Sequence, residues 1–291
     1  MDIKAILMGL AFAAMWSSAF TSARIIVEYA PPLTALALRF LVSGVIGVVL
    51  AWALGQSMRL TRRQWAGVLV FGVCQNALYL GLNFVAMQTI EASFAAIIAS
   101  TMPLLVALAG WLVMGQTVRP MGVAGLAAGV VGVTLIMGAR LQGGVDLFGL
   151  VLCVIGVVSL TIATLAVLGA SSGGNVLMIV GLQMLVGSAI LWVPAVAFES
   201  FDVTWNWQLI VAFVYTTLVP GLAATWVWFT LVGRIGTVRA STFHFLNPFL
   251  GVAVAALFLG EKLGGWDVIG VVIIAGGILA VQLSKQPATS R

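Results

Sequence analysis

The sequence predicts an all-α integral membrane protein of ten transmembrane helices, arranged as two inverted five-helix repeats with both termini cytoplasmic. Three observations lead there. First, 62% of the 291 residues are hydrophobic and 7% charged, with mean hydropathy +1.19; a soluble fold keeps a polar shell around its core and needs no such excess. Second, the apolar residues form runs of about 20, the length that crosses the hydrocarbon of a bilayer. Third, the two halves of the chain resemble each other.

The runs fall at 5–27, 33–54, 65–87, 92–114, 121–139, 147–169, 176–198, 208–232, 239–260 and 267–283. The breaks carry Pro, Gly, Asn, Ser and nearly all the charge. Spans of a transmembrane β-barrel would alternate over about ten residues, and these do not. A helix satisfies its own backbone inside lipid. The first run follows Met1-Asp2-Ile3-Lys4 and exceeds the apolar core of a signal peptide, so it reads as a retained span. The third carries Gln75, Asn76, Tyr79 and Asn83; spacing of four stacks Gln75, Tyr79 and Asn83 on one helical face. The fourth offers Ser100, Thr101 and Met102 before Pro103. Gly122, Gly125, Gly129 and Gly132 share a face of the fifth, a pattern for close helix packing. The sixth holds Ser159, Thr161 and Thr164, and the eighth Pro220, Thr225, Trp226 and Trp228. The ninth offers Ser241, Thr242, His244 and Asn247 before Pro248. A proline inside a span frees a carbonyl one turn earlier, so paired prolines at equivalent depth mark candidate midplane sites. Cys74 and Cys153 show neither metal-ligand spacing nor a disulfide framework.

With the N-terminus in the cytoplasm, Lys4, Arg59, Arg62, Arg63, Arg119, Arg234, Arg239, Lys285 and Arg291 lie inside, against Arg24, Arg39, Arg140 and Lys262 outside. The positive-inside rule then sets both termini in the cytoplasm. The net charge of +5 is an orientation signal. Its cations are dispersed, not gathered in a basic stripe, which argues against a nucleic-acid partner.

Sliding the chain by 145 residues lays Pro103-Leu104-Leu105 on Pro248-Phe249-Leu250, Gly115-Gln116 on Gly260-Glu261, Gly125 on Gly270 and Gly132 on Gly277. Residues 1–140 and 146–284 are thus two five-helix repeats, and 285–291 a cytoplasmic tail. An odd number of spans per repeat puts the second in the membrane upside down, an arrangement that lets two opposed halves alternate access to one site.

The chain resembles the drug/metabolite transporter superfamily, in particular its ten-helix EamA-type exporters. Trp16-Ser17-Ser18-Ala19-Phe20, Leu38-Arg39-Phe40, Pro248 with Gly260-Glu261-Lys262, and the Gly-rich tenth span carry the likeness. Within the superfamily it is most similar to bacterial aromatic amino-acid exporters. The resemblance implies a central cavity bounded by spans 3, 4, 8 and 9, with 1 and 6 as movable walls.

Intramembrane polar side chains usually face a cavity or another helix. The candidate substrate-binding residues are Trp16, Ser17, Gln75, Asn76, Tyr79, Asn83, Thr101, Trp228, Thr242, His244 and Asn247. Each has a structural alternative. Ser and Thr bond their own helices, the amides and Tyr79 join helices, and the tryptophans face lipid. His244 is either a proton carrier or a neutral hydrogen bonder. Arg39 either snorkels, pairs with Glu28, or meets a substrate carboxylate.

No Asp or Glu lies mid-span. Proton and sodium couplers usually bury one there, so the expectation is facilitated export without ion coupling; the alternative is export of another small metabolite or drug, with proton coupling through His244. A membrane-embedded enzyme would need clustered carboxylates, a His-rich metal site or a nucleophile–base pair, and one His argues against it. No cofactor and no metal are expected. The predicted partners are a small-molecule amino-acid substrate and the bilayer of a bacterial inner membrane, with a monomer sufficient.

Overall fold

The computed structural model describes residues 3–113, 115, 117–167, 175–235, 240 and 242–284; Gln116, Arg239, Ser241, Lys285 and Arg291 lie outside the described residues. Among the described residues all regular structure is helical. The elements are α1 (Ile3–Tyr29), α2 (Pro32–Ala53), α3 (Arg62–Ala86), α4 (Ala92–Leu112), α5 (Pro120–Gln142), α6 (Leu147–Val167), α7 (Val176–Phe198), α8 (Trp207–Ile235), α9 (Phe243–Leu259) and α10 (Gly265–Ser284). Nine of them are long and apolar enough to span a membrane. Among the described residues the tenth, α9, is a shorter apolar helix. Proline lacks the N–H an α-helix interior needs but is tolerated in a first turn. The α-helix therefore begins at Asn247, after a 3₁₀ turn over Thr242–Leu246.

Local boundaries recur 145 positions apart. A capping box opens α3: the Gln64 amide donates to Thr61 Oγ1 at 3.2 Å and the Thr61 amide to Gln64 Oε1 at 2.8 Å. At 206, Asn206 Oδ1 accepts from the Leu209 amide at 2.7 Å and opens α8. The helix α3 winds as a π-helix over Gly72–Leu80, and α8 over Thr217–Ala223. In α4 an α-segment restarts at Met102 beside Pro103, as it does in α9 at Asn247 beside Pro248. Gly115 and Gly260 both turn the chain with positive φ, 63° and 67°. There a side chain would be strained.

The chain forms two compact units, each drawing on both halves of the sequence: Met1–Thr21, Glu91–Asp146 and Val227–Arg291 in the first, Ser22–Ile90 and Leu147–Trp226 in the second. In the first, α5 and α10 run antiparallel and touch through glycine. A Cβ on Gly125 would lie 2.6 Å from the Gly277 carbonyl oxygen, and one on Gly132 2.9 Å from that of Gly270. Small residues let backbones approach where lipid provides no hydrophobic drive. Gly251 of α9 abuts Ala96 of α4 in the same way. Glu261 accepts from the Ala92 and Ser93 amides at 2.8 and 2.9 Å, capping α4 at its positive dipole end. Arg140 bridges Asp267 of α10 and Glu91.

In the second unit α2 and α7 also run antiparallel. Gly44 and Gly47 face Gly181, and Ser188 Oγ donates to the Ala37 carbonyl at 2.8 Å. Val48, Ala51, Val68, Met178 and Leu182 form the core beside this contact. Glu199 caps α2, accepting from the Leu33 and Thr34 amides at 2.7 Å each. Trp205, Trp207 and Trp266, near helix ends, are exposed, as belt residues would be.

Candidate functional site

The sequence-predicted site residues fall into two groups, one in each unit. In the first unit the helical spacing of α1 puts Phe12 and Trp16 on one face. Their rings lie 5.8 Å apart. Trp228 of α8 comes 4.7 Å from Phe12, and His244 of the 3₁₀ turn lies edge-on to both, 5.5 Å from Phe12 and 5.1 Å from Trp228. Offset and edge-to-face rings at such distances attract through their quadrupoles.

The polar edge of this cluster sits where α9 breaks. Asn247 Nδ2 lies 3.0 Å from His244 Nδ1. In that orientation the amide donates, Nδ1 accepts, and the ring proton is on Nε2. Ser17 Oγ donates to the Asn247 carbonyl at 3.3 Å. Asn247 Oδ1 is buried and has no hydrogen-bond partner among the described residues, a costly arrangement in an apolar setting. The arrangement offers three aromatic faces, an imidazole and one unspent amide oxygen. That suits a flat or bulky apolar group carrying a hydrogen-bond donor.

The structure thus brings Trp16, Ser17, Trp228, His244 and Asn247 together. Phe12 joins them unannounced; among so many apolar residues, its place one turn before Trp16 is the sole signal. Thr101, also in this unit, donates Oγ1 to the Ile98 carbonyl of its own helix at 2.6 Å. Thr242 opens the 3₁₀ turn, and its side chain lies outside the described residues.

The second group serves helix contacts. Asn76 Nδ2 donates to the Gln183 carbonyl of α7 at 2.9 Å, against Gly187. Tyr79 is 1% exposed. Asn83 Nδ2 donates to the Tyr79 carbonyl at 2.8 Å and fills the space over Gly156 of α6. Gln75 is half-buried. Ser159 Oγ donates to the Cys74 carbonyl at 2.9 Å. Arg39 is buried, and its Nε donates to the Thr216 carbonyl at 3.2 Å instead of snorkelling outward. Among the described residues no group of three or more His, Cys, Asp or Glu is placed to hold a metal.

Apolar helices interrupted at matched depths, with polar side chains gathered at a break, define a polytopic membrane protein of transporter type. The model of the EamA-like transporter family matches residues 3–138 and again 147–283, and the chain belongs to that family. It is a multi-pass membrane transporter. The uncharacterized transporter YvbV of Bacillus subtilis is 27% identical over 274 residues, covering 94% of this chain and 89% of that one. The uncharacterized inner membrane transporter YedA of Escherichia coli K12 is 27% identical over 287 residues, covering 93% and 88%. The probable amino-acid metabolite efflux pump of the same organism is 36% identical over 93 residues, 32% of this chain and 31% of that one. A crystal structure of a protein 20% identical superposes with a TM-score of 0.70, covering 97% of this chain and 99% of the other. That likeness bears on the fold alone.

Proposed function

We propose that the protein exports amino acids with aromatic or large neutral side chains across a bacterial inner membrane, by alternating access and without a coupling ion. The observation that carries this reading is the cluster of Phe12, Trp16, Trp228 and His244 beside the open Asn247 amide. Rings stack on an aromatic side chain, and the amide oxygen accepts from an ammonium group. The part-length likeness to an amino-acid metabolite efflux pump supports the substrate class. The name of the YedA relative supports the inner membrane.

Ten spans in two inverted repeats, with both termini cytoplasmic, complete the proposal. Two matches to one family model support the repeat. So does the antiparallel packing, inside each unit, of helices that correspond between the halves: α5 with α10, and α2 with α7. Uncoupled export is supported by where the carboxylates go. Glu199 and Glu261 cap helices, and Glu91 and Asp267 bind Arg140. A single chain suffices in this scheme, and no cofactor or catalytic group takes part.

The second reading is proton coupling through His244, favoured by its contact with Asn247. Counterflow in proteoliposomes with labelled phenylalanine, tryptophan and threonine tests both. Saturable exchange of phenylalanine and tryptophan, insensitive to an imposed pH gradient and lowered about tenfold in Trp228→Ala, is expected. Accumulation driven by the gradient and abolished in His244→Gln would establish the second reading. No amino-acid flux at all would overturn the substrate class.

A further inference from the structure

We propose that the turn joining α2 to α3 is a binding site for an anionic phospholipid, whose phosphate is held by Arg59, Arg62 and Arg63 and whose chains lie along the exposed apolar side chains beside them. The site lies wholly within the second unit and does not depend on which substrate is carried. Charge in that unit is sorted along α2. Its three acids sit at one end. Glu199 caps α2 at Leu33 and Thr34. Asp202 follows it in a stretch tied to the end of α1, beside Glu28, by the Thr204 amide donating to the Tyr29 carbonyl at 2.8 Å. Three of the unit's five arginines sit at the other end, within five residues, just past the close of α2 at Ala53. The length of α2 puts about 33 Å between the two sets, several screening lengths at physiological salt. The other two arginines, Arg24 and Arg39, donate to the Met87 and Thr216 carbonyls. The basic end therefore presents a positive field that no acid of its own unit offsets.

Positive charge at one end of a span is an orientation signal and needs no fixed geometry. This turn has one. Asn175 Oδ1 accepts from the Ser57 amide at 3.2 Å and Gln56 Oε1 from the Met178 amide at 3.0 Å, which ties the turn to the start of α7. Leu60 packs against the core that Val48, Val68 and Met178 share. The capping box of Thr61 and Gln64 fixes where α3 begins. With Leu60 and Gln64 turned inward, Arg59, Arg62 and Arg63 are left exposed. Guanidinium groups match phosphate oxygens in charge and geometry, and on a turn already ordered they bind with little further loss of backbone freedom. Leu54, Met58 and Trp65 form an apolar rim, 71%, 43% and 37% exposed, and tryptophan settles at the headgroup level of a bilayer. A soluble phosphate would use the arginines alone. The rim favours a phosphate that arrives with acyl chains, since binding at such a surface scales with buried apolar area as well as with charge.

The test is thermal unfolding of the purified chain in neutral detergent, titrated with phosphatidylglycerol, with phosphatidylcholine of the same chains, or with glycerol 3-phosphate. Phosphatidylglycerol is expected to raise the melting temperature saturably and by more than phosphatidylcholine, while glycerol 3-phosphate leaves it unchanged. One basic side chain near an anionic lipid surface is worth about fivefold in affinity. Each of Arg59→Gln, Arg62→Gln and Arg63→Gln should therefore weaken the apparent affinity for phosphatidylglycerol about fivefold, and the three together about a hundredfold. Lys4→Gln, Arg119→Gln and Lys262→Gln combined remove the same charge from exposed positions elsewhere and should leave the affinity unchanged. Equal weakening by the two triple variants would mean attraction to net charge alone and overturn the site. An equal response to both lipids would overturn it too. So would a shift by glycerol 3-phosphate as large as that by phosphatidylglycerol, which would make the turn a site for soluble anions. Should the triple variant of the turn fail to fold, the single variants decide, and three unchanged affinities refute the proposal.

Discussion

Gly125→Ala tests the contact between α5 and α10 most directly. The new methyl would lie 2.6 Å from the Gly277 carbonyl oxygen, and 3.0 Å from both Ala280 Cβ and Val281 Cγ2. Comfortable contact needs about 3.5 Å, so the helices must part locally by nearly an ångström, and a gap of that size forfeits roughly a quarter to a half of each affected dispersion contact. The obstructing atom is backbone, which no rotamer change can move. Overpacking of this kind costs about 1–3 kcal/mol, and the rigidity of the neighbour places this case near the top of the range. At about 2–4 °C per kcal/mol for a chain of this order, the melting temperature should fall by about 5–10 °C. The assay is thermal unfolding of the purified protein in detergent. Gly138→Ala is the control on the same helix, because a Cβ there meets nothing within 4 Å. It should leave stability unchanged or raised by the better helix propensity of alanine. Gly277→Ala should reproduce the loss, since its Cβ meets the Gly125 carbonyl at 2.6 Å. Equal melting temperatures for Gly125→Ala and Gly138→Ala would refute glycine-mediated contact between these helices.

Other expectations follow from single contacts. Glu261→Ala removes the acceptor for two amides at the start of α4 and should cost about 0.5–2 kcal/mol in the same unfolding assay. Arg140→Ala leaves the buried Asp267 carboxylate without its counter-charge, held by the Gly264 amide. Its cost, about 3 kcal/mol or more, should largely be relieved by adding Asp267→Asn. Trp228→Ala opens the aromatic cluster and should lower amino-acid exchange by about tenfold. Trp226→Ala, two residues away and 64% exposed, should leave exchange unchanged.

Much of the fold was legible because span length and hydropathy are local properties. The runs read at 33–54 and 176–198 correspond to helices at Pro32–Ala53 and Val176–Phe198. Pro248 also announced its break, since the ring forbids an interior position. The π-winding of α3 had no such herald, because Gly72–Leu80 contains no proline. That winding matters to the site. The stacking of Gln75, Tyr79 and Asn83 presupposes the α-helical pitch, and a π-helix closes its hydrogen bonds one residue later. Tyr79 and Asn83 meet each other and α6. Trp16, Ser17, Trp228, His244 and Asn247 stood out because such side chains are conspicuous in apolar runs. Phe12 was hidden among similar residues. The partner of Arg39, the Thr216 carbonyl, lies 177 residues further along the chain, which no local pattern encodes.

That each compact unit is shared between the halves bears on how the protein is made. α5 is complete at Gln142, but α10, whose glycines it packs against, begins at Gly265. At about 5–20 residues per second of synthesis, the glycine face of α5 waits roughly 6–25 seconds in the bilayer before its partner emerges. During that interval nothing but lipid, another nascent helix or an insertion factor can cover it. Severing the chain between α5 and α6 would release two fragments, neither containing a whole unit. Each would depend on meeting the other in the membrane, so function restored by co-expression, and by neither fragment alone, is the expected behaviour of a divided gene.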